Sequence, residues 1–335
     1  MENIKEFEQY FDFLKLVKGC TPVTIKDYTI WLGNFVSSMN IKSFDDIKVM
    51  TPQDIDRYMI MLTEKGNGAS TRNSILSCIR SFFDFLKKRN LVEANITKDI
   101  DFAKVHKVEK IIPTKKEFCD LLEYMHKYGN QRFYTMFLFL ADTGMRFSEM
   151  ADLKISDLNF LGDEHFIIIR GKGCKERKIF ISDELKTQLR RYILFHRAMP
   201  DVLTEDEFNA QRTRVQLKGF NNYQEYLDKR EIYKDNVFTS AMGLRLDNSN
   251  FNSSLKRSAE AVGINTQVKD VSAHSLRHFF TTYALDQGVR IDVLAEMLGH
   301  SSIATTQRYI HRSDEVRLKE SAKVFNFSPS EKKGE

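Results

Sequence analysis

Apolar residues recur at helical spacing in one block of this chain after another, and helix start and stop signals punctuate the blocks. Thr21-Pro22 opens the first clear block. Proline suits a first turn because the N–H it lacks would have no helical partner there. Ile25, Tyr28, Leu32, Phe35 and Val36 follow on one face. Thr51-Pro52 repeats the signal, with Asp54 near the positive end of the helix dipole. Ile55, Tyr58, Met59 and Leu62 form its stripe, and Gly66-Asn67-Gly68 breaks it. Ile75, Leu76, Ile79, Phe82, Phe83 and Leu86 make a third, broad face. Helical spacing alone explains these stripes, so they are core. Five prolines and fifteen glycines in 335 residues interrupt little, and the chain is expected to be mainly α-helical.

The second half adds a different signal. Helices are expected over 115–127, 131–141 and Phe147–Leu153, with Thr143-Gly144 as a stop. Phe166–Ile169 then reads as a strand, Gly171-Lys172-Gly173-Cys174 as a turn and Lys178–Ile181 as the return strand. Ser182 is placed to cap the next helix. Residues 197–235 read as irregular, highly charged and balanced in sign. Further helices are expected near 247–261, 273–286, 291–298 and 303–310. The expected fold is mainly α with a small antiparallel β-sheet in the second domain. Its division is a helical domain over 1–100, a linker over 101–113 and a second domain with a C-terminal tail over 114–335. The length suits two domains.

Composition excludes several classes. Hydrophobic residues at 42% and charged residues at 29% fit neither a disordered nor a fibrous chain. The longest apolar run, 133–141, falls far short of the ~20 residues that span a bilayer. The start, MENIKEFEQY, has no apolar signal region. Cys20, Cys78, Cys119 and Cys174 are too scattered for a metal knuckle or a disulfide framework. They read as reduced thiols in a cytoplasmic protein without a metal site. The net charge of +5 is weak evidence for nucleic acid, but its distribution is uneven. Residues 170–178 (RGKGCKERK) hold five basic and one acidic side chain. That run, with Lys175 and Arg177, could hold phosphates or simply be a solvated turn. Lys104, Lys107 and Lys110 of the linker could likewise follow a duplex or be ordinary linker polarity.

The chemistry is concentrated in a few places. His274 and Arg277, three apart, share one face of the helix that Ser272 can cap. His278 is next along and points about a third of a turn away. Leu298-Gly299-His300-Ser301 places a histidine just beyond a helix end. Tyr309 follows inside the next helix, and Thr143-Gly144-Met145-Arg146 places an arginine just after a helix break. Singly, each has an ordinary reading as packing, a cap or a surface ion pair. Together they suit a phosphodiester under attack. Guanidinium forks match the charged non-bridging oxygens. Histidines can donate to those oxygens or move the nucleophile's proton. A tyrosine can attack phosphorus, and a lysine can protonate the departing oxygen.

That ordered set resembles the tyrosine recombinase (phage integrase) family. The matching segments are ADTGMRFSEMADLKISDLN, IIIRGKGCKERKIFI, AHSLRHFFTTYALDQGV and LAEMLGHSSIATTQRYIH, with weaker likeness over 1–100. The resemblance implies that Arg146 and Arg277 clamp the scissile phosphate. It makes Lys172 the general acid, with Lys175 as the neighbouring alternative. It makes His274 a proton-transfer aid, His300 a donor to a phosphate oxygen and Tyr309 the nucleophile, with His278 supporting from behind. It implies a two-domain clamp on double-stranded DNA with specific recombination sites, and a homotetramer on two sites. It allows for accessory DNA-bending or excision factors and implies no cofactor and no membrane. The apolar residues Val316, Leu318, Val324, Phe325 and Phe327 of the tail would then dock on a neighbouring subunit, or else on their own domain. The segment 197–235 is longer than in compact family members. It inclines the reading toward integration or excision of a mobile element. A Xer-type chromosome-dimer or plasmid resolvase is the alternative. A type IB topoisomerase-like enzyme and a non-catalytic DNA-binding regulator are the alternatives of other classes.

Overall fold

The structure is a computed structural model that describes residues 4–105, 111–161, 164–170, 176–197, 202–211 and 219–299. The chain divides into two compact units, Met1–Glu109 and Lys110–Glu335. Lys107, Lys110, Lys172, Lys175, His300, Tyr309 and the tail lie outside the described residues, as does the helix expected over 303–310.

The first unit is helical. Its elements are α1 (Lys5–Asp12), which runs on into a π-helical turn over Phe13–Val17, α2 (Pro22–Ser38), α3 (Phe44–Lys48), α4 (Pro52–Glu64) and α5 (Ala69–Lys88). The expected Thr-Pro starts hold: Thr21 and Thr51 sit at N-caps with proline in the first turn. Asp54 accepts from the Thr51 amide at 2.9 Å, closing a capping box. Two helices were not expected, α1 and the short α3. Phe7, Tyr10, Phe11 and Leu14 carry the helical spacing that marks α1. They complete the core: Phe7 stacks on Phe82 of α5 at 4.5 Å, and Tyr10 meets Phe82 and Phe85 edge-on. Arg80 of α5 donates to the carbonyls of Thr97 and Ile100, pinning the segment that leaves the unit.

The second unit is built around α7 (Gln131–Thr143), whose residues Tyr134 to Leu140 are all buried. A helix that is apolar all round must be covered on every side. Its neighbours in this unit include α6 (Lys115–Tyr128), α9 (Asp183–Phe195) and α13 (Ala273–Asp286). Alongside stand α8 (Phe147–Asp152) and an antiparallel sheet in the order β1 (Leu158–Asn159), β2 (Phe166–Arg170), β3 (Glu176–Phe180). The register pairs Ile167 with Ile179 and Ile169 with Arg177. Side chains alternate along a strand, so Ile167, Ile169, Arg177 and Ile179 face inward while Glu176 and Lys178 face out. Strand β1 was not expected, since two residues carry no period.

The segment 197–235 corrects the expectation of irregular chain. It holds α10 (Glu205–Gln211) and α11 (Tyr223–Tyr233). Phe208 and Tyr226 are buried with Met242 and Leu244 in a small core of their own. The aromatic residues Phe208, Phe220, Tyr223 and Tyr226 pack on one another, and Leu203 and Leu227 join them in the core of this otherwise charged stretch. The last described helices are α12 (Asn248–Ala261), α13 and α14 (Ile291–Leu298). Cys20, Cys78 and Cys119 are free thiols. Among the described residues no helix is long and apolar enough to cross a membrane.

Candidate active site

Three chain segments meet around the end of α14. The first is the break between α7 and α8. Gly144 caps α7 in the left-handed conformation, with φ of 60°, and the chain then turns through Met145 into Arg146, the N-cap of α8. Only glycine suits this corner. A Cβ there would lie 2.3 Å from Cδ1 of Phe280. Gly144→Ala is expected to lose about 1–2 kcal/mol to the left-handed backbone and about 1–3 more to overpacking. Thermal unfolding checks this; an unchanged melting temperature would show that the corner accepts a side chain.

The second segment is α13. Ser272 accepts from the Ser275 amide at 3.2 Å, the expected cap. Arg277 lies one turn in and is buried, 5% exposed. Its Nη1 donates to the Gly144 carbonyl at 2.7 Å and its Nη2 to the Leu298 carbonyl at 2.8 Å. His274, in the first turn, is exposed. His278 is half-buried, with Nδ1 3.4 Å from the Thr282 hydroxyl.

The third segment is α14 itself, ending at Leu298 and the left-handed Gly299, with His300 next in sequence. The Leu298 carbonyl also accepts from Nη1 of Arg146 at 3.4 Å. Both arginines of the expected clamp therefore converge on one backbone oxygen. The C-terminal end of a helix carries partial negative charge, which favours guanidinium groups there. They differ in exposure, because 44% of the Arg146 side chain is open to solvent.

Glu149 of α8 organises the exposed arginine. Its Oε2 accepts from the Arg146 amide at 2.9 Å and its Oε1 from Arg146 Nη1 at 3.2 Å. Oε2 also accepts from Nη2 of Arg177 at 2.9 Å. Burial pushes the Glu149 carboxyl up, but the Arg177 bond, the Arg146 amide and the two guanidinium charges outweigh it and hold the pKa below the ordinary value. Glu149 was not singled out in the sequence. The signal available was its position three residues after Arg146 at a helix start.

Of the expected DNA contacts, Lys104 is exposed in the first unit. Arg177 points inward, where its Nε donates to the Met297 carbonyl at 3.0 Å. The described part of the basic run is largely paired: Arg170 bonds to Asp157 and Glu176, and Lys178 lies over the Phe166 ring. Among the described residues there is no group of three or more His, Cys, Asp or Glu placed to hold a metal ion.

Comparison with known proteins supplies the class. Residues 113–316 match the phage integrase family and residues 7–90 match the phage integrase N-terminal SAM-like domain, so the chain belongs to that family, the tyrosine site-specific recombinases. Among its relatives is tyrosine recombinase XerD of Oceanobacillus iheyensis, 29% identical over 93% of this chain and 95% of that protein. Tyrosine recombinase XerA of Pyrococcus horikoshii is 27% identical over 92% and 89%. The fold is shared with the XerH site-specific recombinase in its post-cleavage complex with a palindromic difH substrate. The TM-score is 0.64 at 20% identity, covering 95% of this chain and 84% of that one. A lambda integrase dimer bound to a COC′ core site gives 0.63 at 17% identity, covering 93% and 96%.

Proposed function

We propose that this recombinase cuts and rejoins double-stranded DNA at specific sites through a 3′-phosphotyrosyl intermediate. The observation that carries the reading is the meeting of Arg146 and Arg277 at the Leu298 carbonyl, with His300 next but one along the chain. Two guanidinium groups side by side match the non-bridging oxygens of one phosphodiester. Tyr309 attacks phosphorus, the 5′-oxygen leaves with a proton from Lys172 or Lys175, and a 5′-hydroxyl of the partner strand later reverses the step. One phosphodiester is exchanged for another, so bond energy is retained and no nucleotide cofactor is consumed. Fixed side chains supply the charge stabilisation. His274 assists the phenol's proton transfer, His300 donates to a phosphate oxygen, and His278 supports them from behind.

The wider assembly follows the same reading. The domains over 1–100 and 114–335 clamp duplex DNA across the 101–113 linker, and Lys104, Lys107 and Lys110 are its phosphate contacts. Four copies act on two sites, with or without accessory DNA-bending factors, and the tail links neighbouring subunits. The reaction serves integration and excision of a mobile element. A Xer-type resolvase is the second reading, favoured by relatives of that name matched over about nine-tenths of both lengths.

The test uses genomic DNA from the protein's own source. Covalent protein–DNA complexes are captured after denaturation and their DNA is sequenced. One short site with inverted repeats is expected to be enriched, and a plasmid carrying two copies of it should be resolved into circles. Sites within an element's ends support integration; one chromosomal site supports the resolvase. Relaxation of supercoiled DNA lacking the site, without strand exchange, would replace both with a topoisomerase-like reading.

A further inference from the structure

Arg177 stands on β3, yet its side chain leaves the sheet and ends between two other elements. It is placed there by strand alternation: it is paired with Ile169 and lies on the inward face with Ile179. Its guanidinium is spread over two tasks. Nη2 holds Oε2 of Glu149 at 2.9 Å, and Nε holds the Met297 carbonyl at 3.0 Å. Both members of the Arg177–Glu149 pair are only 14% exposed. The Gly299 turn closes over it. A Cβ on Gly299 would lie 2.8 Å from Nη1 of Arg177, so the turn that leads to His300 is shaped around this guanidinium.

We propose that Arg177 is a positioning residue for the phosphate clamp, acting through Glu149 on Arg146 and through Met297 on the turn into His300, rather than a contact to DNA. The proposal rests on the catalytic reading of Arg146 given above. Glu149 can orient Arg146 only while its own carboxylate is fixed. One of its oxygens takes the Arg146 side chain, and the other is shared between the Arg146 amide and Arg177. Without Arg177, a mostly buried carboxylate loses one of its two guanidinium partners and is free to draw Arg146 toward itself and away from a phosphate. The C-terminal end of α14 loses a cationic donor at the same time. A lysine would not replace it. An ammonium is a point charge and lacks the planar fork that reaches a carboxylate and a carbonyl in different directions.

The test uses full-length protein and a nicked duplex carrying the site captured above. Arg177→Ala, Arg177→Lys and Arg146→Ala are compared for single-turnover adduct formation, duplex binding by gel shift, and thermal unfolding. Misplacing a reacting group by about 1 Å can cost ~10²-fold, so Arg177→Ala is expected to form adduct about 10²-fold more slowly. Duplex affinity should stay within about threefold, since the phosphate contacts that set it are elsewhere. Arg177→Lys keeps a cation beside Glu149, so it should fold even if the alanine variant does not, and it should remain slow. The deciding readout is a second substrate, with methyl in place of one non-bridging oxygen of the scissile phosphate. That phosphate is neutral and has little need of Arg146. The Arg177 penalty should shrink on it, as the Arg146→Ala penalty does. A merely structural defect would slow both substrates equally and would overturn the proposal. So would full-rate adduct formation by both Arg177 variants, or lost duplex affinity with an unchanged rate, which would make Arg177 a DNA contact. If Arg146→Ala itself forms adduct normally, the catalytic reading fails beneath the proposal. If that variant is inactive while the Arg177 variants are not, only the proposal fails.

Discussion

Tyr309→Phe is expected to abolish the covalent protein–DNA adduct while leaving duplex binding nearly intact. The substitution removes one hydroxyl and keeps the ring, so the side chain is otherwise unchanged. Affinity for a duplex comes mainly from neutralised phosphates, and a tyrosine hydroxyl neutralises none. The rate loss should be essentially complete because the phenol oxygen is the atom that forms the bond to phosphorus. The wild-type reaction itself needs help. With a reference pKa near 10, only about one phenol in a thousand is ionised at neutral pH. His274, exposed in the first turn of α13, is the residue proposed to take that proton. The check is a nicked site incubated with either protein and run on a denaturing gel, alongside a native gel shift. An adduct that persists in the phenylalanine protein would move the nucleophile to another residue.

Much of the fold could be read from periodicity because its helices are amphipathic and well punctuated. The expected boundaries of the helices over 273–286 and 291–298 agree with those of α13 and α14. What escaped was of two kinds. Some elements owe their order to tertiary contact rather than pattern. Strand β1 is two residues long and exists because β2 offers it an edge. The stretch over 197–235 looked irregular because its charges are dense and its apolar residues keep no clear period, yet a cluster of aromatic and leucine side chains with Met242 and Leu244 organises α10 and α11.

The other kind concerns direction. The run RGKGCKERK is basic as composition, but strand alternation turns Arg177 inward to Glu149 while Lys178 stays outward. Counting charges could not separate them; the two-residue period that makes Ile179 a core residue could have. The partner shared by Arg146 and Arg277 was beyond reach for a simpler reason. It is a main-chain carbonyl, Leu298, and every residue has one. Sequence reading names side chains and so is blind to a site's backbone half. Glu149 lay between these cases: its spacing from Arg146 marks a helix start, but only its burial shows that it also holds two guanidinium groups.

Arg146→Lys and Arg277→Lys should both slow cleavage strongly but should differ in what else they cost. Each keeps a charge and loses the planar fork. Removing one donor to a developing oxyanion typically costs about 10²–10³ in rate, and either variant is expected to fall in that range under single-turnover conditions. Stability should separate them. Arg146 is exposed, with 44% of its side chain open to solvent, and its acid partner Glu149 retains the Arg146 amide and Arg177, so its lysine variant should unfold near the wild-type temperature. Arg277 is buried and supplies hydrogen bonds to the carbonyls of Gly144 and Leu298 from two different nitrogens. A single ammonium cannot hold both at those positions. The Leu298 carbonyl keeps the Arg146 donor, but a buried Gly144 carbonyl left unpaired costs about 1–3 kcal/mol, so Arg277→Lys should unfold several degrees earlier. The two carbonyls sit at the ends of α7 and α14, so the same loss loosens the corner before Arg146 and the turn before His300. Rate and melting temperature measured on both proteins decide the matter. Near wild-type cleavage by either variant would remove that arginine from the clamp. Equal melting temperatures would show that Arg277 does not join α7 to α14.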